Sequence, residues 1–237
     1  MIKNSFCFLP GIGQVRERTL WKAGILCWED FLKVPHPPGI SPSRKDILRG
    51  HLSTALVELE KRNHRYFAGL VERREHWRLF REFSEDAVYL DIETTGLSPD
   101  YCDITMVGIY RGGKMTALIL GEDLTEETLE REVSHCKMLV TYYGTAFDLP
   151  FLLRKFPGLR LNEALHFDLC FGARRLGLTG GLKAVEAKVG IQRNEEVLGI
   201  DGFEAVRLWY DYQRGDTEAL RLLMAYNEED TRSLSLL

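Results

Sequence analysis

The stretch AVYLDIETTGLSPD, residues 87–100, sets two acidic side chains at the end of an apolar run. Ala87, Val88, Tyr89, Leu90 and Ile92 read as a buried strand that carries Asp91 and Glu93. An ionised carboxylate in such a setting costs several kcal/mol unless something pairs with it. Residues two apart on a strand share a face, so the two carboxylates converge on one point. Thr94 and Thr95 after them can donate hydroxyls, and Gly96 lets a backbone approach a ligand closely. Spacing alone decides little, because Asp216 and Glu218 repeat it in a polar, helix-like segment. A functional pair and simple solvation at a strand end both remain open on this stretch.

Outward from it, strands are predicted at 104–110 and 114–120, joined through RGGK. A helix at 125–134, a strand at 138–143, a helix from 148 and a short strand at 165–169 follow. Helices at 170–176, 181–188, 201–213 and 216–235 complete the chain. Three antiparallel strands followed by alternating helix and strand predict an α/β domain with a mixed sheet over 84–237, not a sandwich. Residues 1–83 read as a helical N-terminal region. Short helices flank LPGIG, PHPPGISPS (35–43) breaks structure, and Ser41 with Pro42 reads as an N-cap and first-turn proline. From Asp46 to Phe83, Leu48, Leu52, Leu56, Leu59, Tyr66, Leu70, Trp77 and Phe80 recur near a 3.6-residue period and predict one long helix.

Among the 237 residues, 45% are hydrophobic and 28% charged, as in soluble globular proteins. No apolar run approaches the roughly 20 residues of a membrane span, and MIKNSFCFLPGIG lacks a signal-peptide layout, so no membrane association is expected. Cys7, Cys27, Cys102, Cys136 and Cys170 form no CxxC pair, which fits reduced thiols and a cytoplasmic location. The net charge of −4 is uneven: residues 1–86 hold 15 Lys+Arg against 11 Asp+Glu (+4), the remainder 16 against 24 (−8). The acidic half repels a nucleic acid unless cations bind it, whereas the front half attracts phosphate.

Two further stretches carry candidate chemistry. In LVTYYGTAFDLPFL (139–152) an apolar strand ends at Tyr143, Gly144 turns the chain, and Asp148 opens a helix as a cap or as a site residue. In AYNEEDTRSLSLL (225–237) Tyr226 and Asp230 are four apart and share a helix face, while Asn227, Glu228 and Glu229 read as a solvated face. Tyr212 and Asp216 have the same spacing, but Gly215 interrupts any helix between them.

In this order the three segments resemble the exonuclease motifs of the DEDD superfamily, which has a ribonuclease H-like fold. The Tyr226–Asp230 spacing resembles the tyrosine-bearing branch, and TYYGTAFDLPFL, HFDLCFGARRLGL and AYNEEDTRSL are similar to the YprB-type domain, over about residues 85–237. The resemblance implies a metal-dependent 3′–5′ exonuclease using two divalent cations. It also implies that Asp91 bridges both ions, that Glu93 and Asp230 complete the site of the attacking water, and that Asp148 holds the second ion. Tyr226 would orient the water, since a phenol is a poor base at neutral pH. Thr94 and Leu97 align with positions that touch the terminal nucleotide. Phe147 lines the same pocket or packs under the helix. Many relatives carry Asn where this chain has Tyr143. Asp168 reads as a supporting group or a helix cap, and His166 as structural.

Elementary electrostatics agrees. Four carboxylates within about 4 Å repel by roughly 4 kcal/mol per pair at an effective dielectric near 20, so they need cations or retained protons. Oxygen-only ligands favour Mg²⁺ or Mn²⁺ over Zn²⁺. The front stretch FLPGIGQVRERTLWKAGI resembles the hairpin of helix-hairpin-helix DNA-binding motifs, with Gly11 and Gly13 as candidate phosphate-binding residues before a helix. Only eight residues precede Leu9-Pro10 and its turn, too few for a full first helix. Expected partners are nucleic acid, with a single-stranded 3′ end and DNA ahead of RNA. The competing reading is a catalytically silent nucleic-acid-binding module that keeps the fold.

Overall fold

The computed structural model describes residues 1–237, the side chain of residue 162 apart. It divides into two compact units, Met1–Ser84 and Glu85–Leu237.

The first unit is helical. After a short 3-10 turn at Ile2–Asn4 come α1 (Gln14–Lys22), α2 (Trp28–Lys33), α3 (Pro42–Glu60), α4 (His64–Leu70), a 3-10 segment Arg73–Leu79 and α5 (Phe80–Phe83). Ile2, Phe6, Leu20, Trp28, Phe31, Leu52, Phe67 and Phe83 are fully buried and form its interior. The place of a first helix before the glycine turn is taken by a loop anchored on a buried carboxylate. Glu17 accepts from Ser5 Oγ at 2.9 Å and from the backbone N–H of Phe6 and Cys7 at 2.6 and 3.1 Å, and Arg78 lies 3.4 Å from its other oxygen. Gly24, at φ +82, ends α1, with Ile25 N–H closing on Leu20 O and Gly24 N–H on Trp21 O.

The single long helix predicted from Asp46 to Phe83 is not formed. Arg62 takes a left-handed φ of +52 after α3, Asn63 N–H closes on Glu58 O, and Arg62 N–H closes on Leu59 O. The Asn63 side chain then caps α4 by accepting from Tyr66 N–H. The 3.6-residue period survives this break because both segments bury one apolar face, which hides the interruption from a pattern count.

The second unit holds a five-stranded sheet in the order β3-β2-β1-β4-β5. Its elements are β1 (Ala87–Thr94), β2 (Ile104–Arg111), β3 (Lys114–Ile119), α6 (Glu126–Val133), β4 (Met138–Thr141), α7 (Asp148–Lys155), β5 (Leu165–Asp168), α8 (Leu169–Arg175), α9 (Leu182–Val189), α10 (Gly202–Gln213) and α11 (Thr217–Ser233). β1–β2 and β2–β3 pair antiparallel, β1–β4 and β4–β5 parallel. This is the predicted α/β architecture, a mixed sheet flanked by helices.

Alternation along β1 divides the two faces. Val88, Leu90 and Ile92 pack with Leu129, Leu149, Phe151 and Leu152 in one core, toward α6 and α7. On the other face Met106 and Ile119 pack with Trp209, Leu223 and Tyr226 of α10 and α11. Asp91 and Glu93 share the parity of the second face, so the sheet aims them at α11. Gly108, the register partner of Asp91, lets that helix come close. A Cβ at Gly108 would lie 2.9 Å from Asn227 Cγ and press on Thr231 Oγ1 as well. Asp216 caps α11 with Gly215 at φ +105 before it, so Tyr212 and Asp216 share no helix. Among the described residues, no helix is long and apolar enough to cross a membrane, and the five cysteines are unbridged.

Candidate active site

β1 delivers two carboxylates and α11 a third. One oxygen each from Asp91, Glu93 and Asp230 lie within 4.8 Å of one another, the only such trio of potential metal ligands among the described residues. Tyr226, one turn before Asp230 on α11, is buried beside them. Asp148 arrives from the other side of the sheet, where the parallel β1–β4 pair ends. The cap of α7 is Phe147, and Asp148 is the first helical residue, so it does not serve as the N-cap. Its Oδ1 is buried without a hydrogen bond among the described residues.

The charges respond to that crowding. Burial, then the charges of Asp148, Asp230 and Glu93, push the Asp91 carboxyl well above its ordinary range, with Arg193 opposing. Burial and Asp230 do the same to Glu93, against a hydrogen bond from Asn227 and the charge of Lys183. Burial raises Asp148 to about 7, although backbone N–H groups of Asp148 and Ile92 partly compensate. Asp230 is raised by burial and held down by Arg193 and Tyr226. Burial and the neighbouring carboxylates push the Tyr226 phenol far up, so it stays a neutral hydroxyl at any ordinary pH. Carboxylates separated by this much repel by about 3 kcal/mol per pair at an effective dielectric near 20. An all-oxygen donor set, its carboxyls pushed up by burial and by one another and holding an orphaned Asp148 oxygen, fits a hard divalent cation.

Several neighbours were not legible beforehand. Asn227, read as part of a solvated face, is fully buried and donates from Nδ2 to Asp91 Oδ2 at 3.2 Å. The close approach at Gly108 turns it inward, whereas Glu228 pairs with Arg232 at 2.6 Å on the outside. Arg193 contacts Asp230 and binds Glu186 through Nε and Nη2 at 2.6 and 3.0 Å. Lys183 lies 4.7 Å from the centre of the Tyr226 ring. Neither cation had a sequence signal, since both reach the site from α9 and the loop after it.

The remaining candidates divide. Thr94 Oγ1 donates to Gly96 O at 2.6 Å, and Thr95 Oγ1 accepts from Asp103 N–H, so both hydroxyls serve the loop itself. Gly96 is explained by Cys102, whose Sγ would sit 2.7 Å from a Cβ there, and not by a ligand. Leu97 is 80% exposed and free to touch a partner. Phe147 packs against the core with its ring tilted against Phe151 at 5.0 Å between centroids, which is the packing alternative. Asp168 caps α8 through Cys170 N–H and also accepts from Tyr143 N–H at 2.8 Å and Thr145 N–H at 3.0 Å. It thereby holds the turn that leads to Asp148. His166 is buried against Thr141 Oγ1 at 3.0 Å, a structural partner.

In the first unit, Gly11 adopts φ +65, and a Cβ there would collide with the Arg44 guanidinium, which donates to Pro10 O at 3.0 Å. Gly13 caps α1 without a side-chain acceptor and has open space beside it.

A family model for the RNase H superfamily matches residues 88–237. Among solved structures, a family B DNA polymerase from the hyperthermophilic archaeon Pyrobaculum calidifontis superposes with a TM-score of 0.52 at 18% identity. That match covers 63% of this chain and only 23% of the polymerase, so it is a likeness of fold. An apo form of a nuclease gives a TM-score of 0.45 at 19% identity, over 63% of this chain and 68% of that one. No curated protein matches the chain.

Proposed function

The chain belongs to the RNase H superfamily through residues 88–237, and on that footing we propose that it is a metal-dependent 3′–5′ exonuclease. The observation that carries this reading is the trio Asp91, Glu93 and Asp230 within 4.8 Å, with Asp148 supplying a fourth carboxylate charge beside Asp91. The polarity and the preference for a single-stranded 3′ end, DNA ahead of RNA, rest on the resemblance of the three motifs to the tyrosine-bearing DEDD exonucleases.

Asp91, Glu93, Asp148 and Asp230 would hold two Mg²⁺ or Mn²⁺ ions. Such ions, when bound, neutralise the phosphodiester and make water a competent nucleophile. Tyr226, kept neutral by its surroundings, bonds Asp230 in this structure and would turn its hydroxyl to orient the water once metal takes that carboxylate. Asn227 fixes one oxygen of Asp91, leaving the rest of that carboxylate for ligation. Leu97 presents an exposed apolar side chain to the terminal nucleotide, Thr94 shapes the backbone there through its bond to Gly96, and Phe147 backs the pocket from the core. Gly11 and Gly13 offer a phosphate contact at the start of α1, supported by its open, uncapped N-terminus. The unbridged thiols support a cytoplasmic location.

The test is digestion of end-labelled single-stranded and duplex DNA and RNA with Mg²⁺ or Mn²⁺, beside Asp91→Ala. Shortening from the 3′ terminus that Asp91→Ala abolishes is expected. Internal cuts or a 5′ ladder would refute the polarity. Binding without cleavage by the wild type on every strand would establish the silent module instead.

A further inference from the structure

Arg193 is an unusual neighbour for a metal site, because it brings a permanent cation to a ligand. It follows α9, and its side chain is only 8% exposed. Glu186, 1% exposed on α9, accepts from Nε at 2.6 Å and from Nη2 at 3.0 Å. That dedicated carboxylate removes the freedom a surface arginine has and fixes the fork. Nη2 is shared with Asp230, while Nη1 is buried and makes no hydrogen bond among the described residues. A pair that served packing alone would be complete with Glu186. Three residues before Glu186, and so on the same face of α9, Lys183 sits over Tyr226. Helix α9 and the loop after it thus form a cationic bracket along the Tyr226–Asp230 face of α11.

We infer that Arg193 is a built-in counter-cation, which holds Asp230 in the cluster while no metal is bound and competes with metal for that carboxylate. The inference rests on the carboxylate cluster being the metal site. Without metal, the crowded carboxylates stay assembled by retained protons or by a nearby positive charge, and Arg193 brings such a charge to Asp230. When metal arrives, Arg193 yields Asp230 and keeps Glu186, so its charge is never stranded. Glu186 therefore sets how firmly Arg193 holds Asp230, and the two residues push metal affinity in opposite directions.

Mn²⁺ binding to the full chain, followed by electron paramagnetic resonance at fixed pH, tests this without any turnover. Arg193→Met removes a unit charge at hydrogen-bond distance from a ligand and is expected to tighten the Mn²⁺ dissociation constant about tenfold. Glu186→Gln leaves Arg193 to Asp230 alone and is expected to weaken it several-fold. Melting of Arg193→Met is expected to fall without metal and to recover most of the loss at saturating Mn²⁺. Unchanged dissociation constants, shifts of the same sign in both variants, or equal melting losses with and without Mn²⁺ would leave Arg193 a structural residue and overturn the inference. If Arg193→Met does not fold, the sign of the Glu186→Gln shift decides alone. Wild-type protein that binds no Mn²⁺ would refute the metal site itself, a separate failure.

Discussion

Gly108 is where the sheet and α11 touch, and replacing it with alanine tests how the carboxylate cluster is assembled. The new Cβ would stand 2.9 Å from Asn227 Cγ and closer still to Asn227 Oδ1 and Thr231 Oγ1. Thr231 has a second helical rotamer to turn to, but Asn227 is struck at both Oδ1 and Cγ, so Asn227 must rotate or α11 must move away. Overpacking of this kind costs about 1–3 kcal/mol. Rotating Asn227 also forfeits its 3.2 Å bond to Asp91, at about 0.5–1.5 kcal/mol. Together these give about 1.5–4.5 kcal/mol, and for a unit of this size a melting loss on the order of 10 °C. Urea denaturation of Gly108→Ala, Asn227→Ala and the double variant measures it. Asn227→Ala clears most of the collision, so the double variant should lose about 2 kcal/mol less than the sum of the singles. Mn²⁺ binding should weaken in Gly108→Ala because Asp230 rides on the displaced helix. A Gly108→Ala protein within about 1 kcal/mol of wild type, or an additive cycle, would refute close packing as what positions Asp230.

Two other outcomes follow from the same coordinates. Asp148 has its folded pKa raised to about 7 from 3.8, so its contribution to stability is fully present below about pH 4 and lost as pH rises through 7. In EDTA, wild type should therefore lose about 4 kcal/mol on this account between pH 4 and 8, while Asp148→Asn should not, and parallel denaturation profiles would contradict this. Tyr143 holds φ +64 while 48% exposed, so Tyr143→Asn should raise stability by about 1 kcal/mol in thermal melts, and a loss would mean that the ring packs more than its exposure indicates.

The order of strands and helices in the second unit was readable because each element there carries its own local signal. β1 is an apolar run ending in Asp91 and Glu93, Gly112 and Gly113 mark the hairpin, and Asp216 with Gly215 separates α10 from α11. The first unit misled over 46–83, because Arg62 occupies a left-handed turn that glycine or asparagine ordinarily marks. Asn227 misled for another reason. It stands next to Glu228 and Glu229 in a charged run, and its burial depends on a glycine more than a hundred residues away.

Periodicity and capping residues determined the α/β class, and the resemblance of three short motifs to the DEDD exonucleases singled out Asp91, Glu93, Asp148, Tyr226 and Asp230 as candidates. Those signals act between residues close along the chain, where strand parity and helix pitch alone decide which side chains share a face. Only the tertiary structure decided that three carboxylates meet within 4.8 Å, that Asn227 turns inward against Gly108, and that Arg193, anchored by Glu186, reaches Asp230. Such contacts join segments distant in sequence, and their geometry is set by how closely α9 and α11 pack on the rest of the unit, which no local pattern encodes.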